Sequence, residues 1–201
     1  MPKVSEAYSQ ERRQQVIDAA YRCFARKGFH QTTMRDIYEE AQLSAGAVYN
    51  YFDSKHEIIE ASFSFDYERS MALFDTASES SDPLATLLDL LRFLFAGLKD
   101  AAALDAPRVN VQGWGEALIN PPLLGTLQRV LGFYREVTAR TIRRAQENGQ
   151  IDECLDPDAL SNALISLYYG LELQLAVNPE ADVDGYAETV TAMLMRLEQR
   201  T

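Results

Sequence analysis

Helix signals run through this sequence from one end to the other, and they leave little room for another class of fold. Apolar residues recur at three- and four-residue steps, as at Val16, Ala20 and Phe24, which is the period of one face of an α-helix. Three helix starts place a capping residue before a proline at the first helical position, namely Asp82-Pro83, Asn120-Pro121 and Asp156-Pro157. Strand-like alternation with hairpin turn signals is absent. We therefore predict an all-α protein.

The pattern predicts about nine helices joined by short connections. Gly28 and the pairs Asn148-Gly149 and Asn178-Pro179 mark helix ends. The predicted helices span residues 9–27, 33–40, 44–50, 54–78, 83–103, 106–118, 121–148, 157–177 and 183–199.

Length and composition exclude several broad classes of protein. The chain has 201 residues, of which 47% are hydrophobic and 24% are charged, so disordered and fibrous proteins are excluded. Cys23 and Cys154 are too few and too far apart for a disulfide framework or a zinc site. The N-terminus is polar and no apolar run reaches about 18 residues, so we expect no signal peptide, no membrane span and a cytoplasmic location.

Charge is distributed unevenly along the chain. The net charge is −11, yet residues 1–55 carry eight Lys and Arg residues against seven acidic residues. The remaining residues carry 11 basic and 23 acidic side chains. A near-neutral end on an acidic chain suits a protein that meets a polyanion with that end only, although chance composition is the alternative explanation.

Residues 33–50 carry the most specific signal in the chain. Thr33 begins a short helix with a capping-box-like pattern, in which Asp36 replaces the usual Glu or Gln. A tight turn at Gln42-Leu43 follows, and Ser44 can cap a second short helix that opens with small residues. Helix, turn and helix at this spacing predict a helix-turn-helix whose second helix enters a DNA major groove. Lys55 stands in the first turn of the next helix, where a lysine opposes the helix dipole, and a phosphate contact would explain it.

The stretch from Arg13 to Lys55 resembles the N-terminal domain of the TetR family of bacterial repressors. The residues that carry the resemblance are Gly28-Phe29, Thr32-Thr33-Met34, Ile37, Ala41, Leu43-Ser44, Gly46, Val48-Tyr49, Tyr51-Phe52 and Lys55. The chain departs from the family at Tyr38, where the family often has Ala, and at Gln42, where it often has Gly. Neither departure falls on the residues expected to face DNA.

The resemblance implies a set of DNA contacts. It places Thr33 and Arg35 at the DNA backbone, with Arg35 able to reach a base. It places Ser44, Ala45, Gly46, Ala47 and Asn50 in the major groove, and it implies phosphate contacts for Tyr49, Tyr51 and Lys55. Asn50 is the best candidate for direct readout, because an amide can pair bidentately with adenine. The alternatives are a core position for Tyr49 and solvated surface charges for Arg35 and Lys55.

Two apolar stripes near the C-terminus suggest a dimer. A lone helix-turn-helix reads only a few base pairs, so such proteins usually dimerise to read two half-sites. The stripes are Leu160, Leu164, Leu167, Leu171 and Leu175 on one helix, and Tyr186, Val190, Met193, Leu194 and Leu197 on the next. Paired across a two-fold axis they would form a four-helix bundle, as the resemblance also implies. The alternative is that both stripes face the core of their own chain.

The middle helices are rich in aromatic residues, and the resemblance implies an inducer pocket between the fifth and eighth helices. The candidate ligand-binding residues are Phe93, Gln112, Trp114, Glu116, Tyr134, Tyr168 and Glu172. Glu172 is the most notable, because glutamate is rarely buried without a partner, and the alternative for it is a rim or interface salt bridge. The alternative for the aromatic residues is that most of them belong to the core. An acid among aromatic rings favours a lipophilic cation. An acyl group with phosphates stays open, because Arg92, Arg108, Arg140, Arg143 and Arg144 could hold phosphates.

We therefore predict a ligand-responsive homodimeric transcriptional repressor that binds a palindromic operator and is released by a small lipophilic inducer. Its predicted domains are residues 1–55, which bind DNA, and residues 56–201, which bind the ligand and the second subunit. His30 and His56 have no suitable partners, so we expect no catalytic residues, no metal and no cofactor. The alternatives are an activator, or a helical carrier or sensor of lipophilic molecules that does not bind DNA.

Overall fold

A computed structural model describes residues 6–63, 80–102 and 106–197. Within these ranges the chain forms helices joined by turns and contains no strand, which confirms the all-α prediction. The helices are α1 (Glu6–Gln31), α2 (Met34–Glu40), α3 (Ala45–Tyr49), α4 (55–63), α5 (Pro83–Ala102), α6 (Ala106–Ala117), α7 (Pro121–Glu147), α8 (Pro157–Val177) and α9 (Val183–Met195). The predicted helical residues 64–78, 103 and 198–199 lie outside the described ranges. No helix in these ranges is long and apolar enough to cross a membrane.

The helix ends follow local side-chain chemistry. Asn120 and Asp156 accept hydrogen bonds from backbone N–H groups in the first turns of α7 and α8, as the capping pattern predicts. Asp82 does the same for α5, accepting from the N–H of Ala85 at 3.0 Å. Gly28 has φ 74°, a left-handed conformation that interrupts the regular helix of α1 where the sequence predicts its end.

The first hydrophobic core, here called the N-terminal core, is centred on the buried rings of Phe24 and Phe52. Helices α6 and α7 contribute Val109 and Leu123 to the same cluster. The core therefore extends past residue 55, and the domain boundary predicted there remains a prediction.

The second hydrophobic core, here called the C-terminal core, joins α5, α7, α8 and α9. It contains four residues of the predicted dimer interface, Leu164, Leu171, Val190 and Leu194, all buried within their own chain. The other three predicted interface residues are only partly buried but pack against the same core, and they are Leu160, Leu167 and Leu197. Apart from Met193, which is exposed, the residues of both stripes pack against the core of their own chain, as the alternative interpretation has it.

A different face of the two C-terminal helices is exposed. Leu173 and Val177 of α8 are 51% and 78% exposed, and Met193 of α9 is 56% exposed. Helix α8 is apolar on more than one side, so the spacing of its leucines does not reveal which side faces the core.

Lys55 ties the start of α4 to the turn between α1 and α2. Its Nζ donates hydrogen bonds to the backbone oxygens of Phe29 at 2.5 Å and Thr32 at 2.7 Å. These carbonyls offset the unfavourable position of a lysine in a first helical turn. A phosphate contact is therefore not needed to explain a lysine at this position. Lys55 stabilises the packing of α4 against the helix-turn-helix.

We expect Lys55→Met to lower the free energy of unfolding by about 1–3 kcal/mol, because two hydrogen bonds to a charged group are lost. Lys27→Met is the matched control, since Lys27 also links α1 to α2 but does so through an exposed ion pair with Asp36. That variant should lose no more than about 1 kcal/mol. Urea unfolding of both variants measures the difference, and equal losses would contradict this account of Lys55.

Candidate functional site

The first short helix of the helix-turn-helix is closed by a reciprocal capping box. The Thr33 hydroxyl accepts from the N–H of Asp36 at 3.2 Å, and the Asp36 carboxylate accepts from the N–H of Thr33 at 2.9 Å. The Lys27 ammonium also donates to Asp36, at 2.5 Å. The bond from Lys27 and those from Thr33 hold the pKa of Asp36 well below its ordinary value. The predicted box is therefore present, with Asp36 in its third position.

The turn between α2 and α3 contains Gln42, at a position where the TetR family often has glycine. Gln42 has φ 55°, a left-handed conformation in which glycine would be unstrained. The turn is held by the N–H of Leu43, which donates to the Tyr38 oxygen at 3.1 Å. The side chain of Gln15 in α1 adds a bond to the Ala41 oxygen at 2.8 Å. The turn thus keeps its geometry without glycine and is attached directly to α1.

The predicted DNA-facing residues divide into an exposed set and a packed set. The exposed residues are Thr33, Arg35, Ser44, Gly46, Tyr49 and Asn50. Ala45 and Ala47 are half-buried, and Tyr51 is half-buried against the N-terminal core. With Lys55 bound to backbone carbonyls, the exposed set forms the candidate DNA-binding surface.

Arg35 and Tyr49 are the longest side chains on this surface. The Arg35 side chain is 75% exposed and its Nε lies 2.8 Å from the Glu39 carboxylate, one helical turn away. An exposed pair of this kind is weak and easily exchanged for another anion. Tyr49 is 48% exposed, while its neighbour Val48 is buried, so the second helix presents one side outward and packs the other.

A cavity of about 130 Å³ lies between the helices of the C-terminal part of the chain. Four of the seven predicted ligand-binding residues line it, and they are Trp114, Tyr134, Tyr168 and Glu172. This volume is close to that of a cavity that admits one benzene ring, roughly 150 Å³.

The other three predicted ligand-binding residues lie elsewhere. Phe93 is exposed on α5. Gln112 accepts from the N–H of Phe29 at 3.2 Å, and the Glu116 carboxylate lies 3.7 Å from His30 Nε2. Gln112 and Glu116 therefore hold the end of α1 against α6 and do not face the cavity.

Aromatic rings form one wall of the cavity. Trp114 and Tyr169 meet edge to face with centroids 5.1 Å apart, and Tyr168 and Tyr169 do so at 5.2 Å. The lining residues absent from the predicted site include Phe63, Leu91, Asn110, Ile165 and Tyr169. Asn110 could have been identified from the sequence, because it lies one helical turn from Trp114 and therefore on the same side of α6.

Phe63 of α4 reaches the cavity because α6 has a glycine, Gly113, at the point where it contacts α4. A Cβ at Gly113 would lie 1.9 Å from Phe63 Cζ, far inside van der Waals contact. The ring of Phe63 therefore occupies the space that any other residue would fill.

Glu172 is 3% exposed and is the only charged residue among the described residues that line the cavity. Its Oε1 accepts from Asn110 Nδ2 at 2.6 Å, and Asn110 Oδ1 accepts from the Tyr21 hydroxyl of α1. Glu172 is therefore buried beside an amide of the same chain, and its role in ligand binding stays a prediction.

The five arginines considered as phosphate ligands are absent from the described lining of the cavity. Arg92 and Arg143 pair with nearby aspartates, and Arg140 is exposed. Arg108 donates to the Ala176 oxygen and Arg144 to the Ser80 oxygen. The described wall thus offers no arginine to an anionic ligand.

Comparison with known proteins agrees with this architecture. Residues 16–62 match the family described as bacterial regulatory proteins of the tetR family, and residues 83–198 match the family described as BetI-type transcriptional repressor, C-terminal. The regulator YfiR of Bacillus subtilis (strain 168) is 27% identical over 201 residues, covering 98% of this chain and 97% of that protein.

Solved structures show the same fold. GusR of Salmonella enterica has a TM-score of 0.74 at 26% identity, with 98% of both chains covered. A transcriptional regulator from Saccharomonospora viridis, solved in complex with choline, has a TM-score of 0.74 at 22% identity, covering 92% of this chain and 96% of that one. These similarities identify a transcriptional regulator with a helix-turn-helix and not an enzyme. The chain belongs to the TetR family of bacterial transcriptional regulators.

Proposed function

We propose that this chain is a homodimeric repressor that binds a palindromic operator and leaves it when a lipophilic cation fills the cavity. The observation that carries the proposal is the double role of α6. Val109 of this helix packs into the N-terminal core with the helix-turn-helix, while Asn110 and Trp114 line the cavity. A ligand that moves α6 therefore acts on the DNA-binding end, provided that its affinity differs between the two conformations.

The candidate DNA-binding surface supports the first part of this proposal. Its exposed hydroxyl, guanidinium and amide groups are the types that bind phosphate oxygens and base edges. Asn50 lies at the C-terminal end of α3 and is exposed, which suits a base contact. Arg35 and Tyr49 supply the long polar side chains that reach the sugar-phosphate backbone.

We expect Arg35→Ala and Tyr49→Phe each to weaken binding to the operator roughly five- to tenfold, because each removes one DNA contact. The operator is first selected by the purified protein from random duplex DNA, and mobility shifts are then measured at two salt concentrations. Arg35→Ala should also reduce the salt dependence by about one released counterion.

Arg143→Ala is the matched control for Arg35→Ala. Both arginines are exposed and pair with a single carboxylate, but Arg143 lies on α7 and pairs with Asp158. Its substitution should leave operator affinity unchanged. Equal affinities for the three variants and the wild type would exclude this surface. Failure to select any DNA sequence would favour a carrier or sensor of lipophilic molecules.

The exposed face of α8 and α9 supports a dimer. Leu173 and Val177 are large apolar side chains left in solvent, and the small residues Ala163 and Ser166 precede them on the same outward side of α8. Small residues allow two helices to approach closely, and apolar residues gain free energy when a partner covers them. Two copies of this face around a two-fold axis would form a four-helix bundle.

We expect Leu173→Asp to shift the protein from dimer to monomer, since it would bury carboxylates at the proposed interface. Phe93→Asp is the control, because Phe93 is similarly exposed, at 55%, but lies on α5. Light scattering during size-exclusion chromatography gives the mass of each variant. A dimeric Leu173→Asp protein would exclude this face as the interface.

The chemistry of the cavity favours a cation over an anion. A carboxyl group and three tyrosines surround the space together with the single tryptophan, and none of the described lining residues is basic. Aromatic faces and a carboxylate both attract a quaternary or protonated amine. The choline complex of the Saccharomonospora viridis protein indicates that this fold can hold a quaternary ammonium ion.

We expect benzyltrimethylammonium to bind more tightly than neopentylbenzene, its uncharged isostere, because only the cation is attracted by the carboxyl group and the aromatic faces. Glu172→Gln should lower the affinity for the cation about tenfold and leave the affinity for the neutral compound unchanged. The single tryptophan, Trp114, lies in the cavity wall, so its fluorescence reports binding of either compound. The neutral compound serves as the control for cavity shape. Tighter binding of octanoate than of the cation would instead favour an acyl ligand.

A further inference from the structure

Three polar side chains from three helices form a continuous hydrogen-bonded chain between the cavity and α1. The Tyr21 hydroxyl of α1 donates to Asn110 Oδ1 of α6. Asn110 Nδ2 donates to Glu172 Oε1 of α8 at 2.6 Å. Tyr21 packs against the N-terminal core, whereas Glu172 lines the cavity.

The amide of Asn110 bonds both neighbours in one orientation. Its NH2 group faces Glu172, whose Oε1 accepts the hydrogen bond. Its oxygen is then directed to Tyr21, whose hydroxyl donates. If Glu172 turns away, the amide loses the partner that sets its orientation, and the bond to Tyr21 weakens with it.

Helix α1 is in turn attached to the helix-turn-helix by several bonds. Gln15 binds the Ala41 oxygen in the turn, and Arg22 pairs with Glu40 at the end of α2 at 2.7 Å. Lys27 binds Asp36 within the capping box. A displacement of α1 at Tyr21 is therefore passed to α2 and α3.

A second contact between α1 and α6 does not reach the cavity. Gln112 accepts from the N–H of Phe29 and donates to the Arg108 oxygen, and it lies on the side of α6 away from Glu172. Gln112 therefore holds the helices together without sensing the cavity, which makes it an internal control.

We propose that Asn110 is the coupling residue of this regulator, because it joins the cavity carboxyl group of Glu172 to Tyr21 of α1. This inference rests on the proposed function for its biological meaning. A ligand that engages Glu172 releases the amide of Asn110, loosens Tyr21, and so frees α1 and the helix-turn-helix to leave the geometry that fits the operator.

The test is a double-mutant cycle on the full chain, measured by hydrogen–deuterium exchange of α1 and α2 without ligand or DNA. Glu172→Met removes the acceptor and should raise exchange around Tyr21 at least threefold. Glu172→Gln keeps an acceptor oxygen and should raise exchange less than Glu172→Met does. In a Tyr21→Phe or Asn110→Leu background, Glu172→Met should add nothing further, because the chain of bonds is already broken.

Gln112→Met is the matched control. It should raise exchange in α1 on its own, and its effect should add to that of Glu172→Met. The proposal is overturned if Glu172→Met leaves α1 unchanged, or if its effect adds fully to that of Tyr21→Phe. Global unfolding is recognised separately, because it would raise exchange equally in the buried segments of α7.

Operator affinity of the same variants then separates this inference from the proposed function. Glu172→Met and Asn110→Leu should weaken operator binding by similar factors, and the double variant should be no weaker than either single one. If the double-mutant cycle in hydrogen–deuterium exchange is non-additive but the protein selects no operator, Asn110 does couple Glu172 to Tyr21 and the repressor proposal fails. If an operator binds but the cycle is additive, the repressor stands and Asn110 is not its coupling residue.

Discussion

Helix α6 has to bury two faces at once, and this constraint organises the whole molecule. One face completes the N-terminal core beneath the helix-turn-helix, and the other closes the cavity in front of α8. Because α6 is shared, the position of the helix-turn-helix and the shape of the cavity are properties of one packed element.

Local chemistry made most of the fold predictable. The capping residues at Asp82, Asn120 and Asp156, the box at Thr33 and the break at Gly28 each involve atoms only a few residues apart. Such short-range signals are contained in the sequence itself. The side of α8 that faces the core is a tertiary property, and a helix apolar on several sides leaves it undecided.

The candidate site shows the same limit. The sequence indicated which residue types belong to a pocket, but not on which side of its helix each residue lies. Aromatic character identified Trp114, Tyr134 and Tyr168, and the rarity of buried glutamate identified Glu172. Gln112 has polar chemistry suited to a pocket, yet it lies two residues from both Asn110 and Trp114, and therefore on nearly the opposite side of α6. The hydrogen bonds of Lys55 to the oxygens of Phe29 and Thr32 could not be predicted either, because these partners lie far from Lys55 in the sequence and leave no local signal.

The contact between Phe63 and Gly113 has a consequence for how this protein can change over generations. The ring of Phe63 fills the position of an absent side chain on α6 and also forms part of the cavity wall. Any larger residue at position 113 would push that ring away and so change the space left for a ligand. Selection on ligand preference can therefore act at a position that lies outside the described lining of the cavity, through a ring carried by another helix.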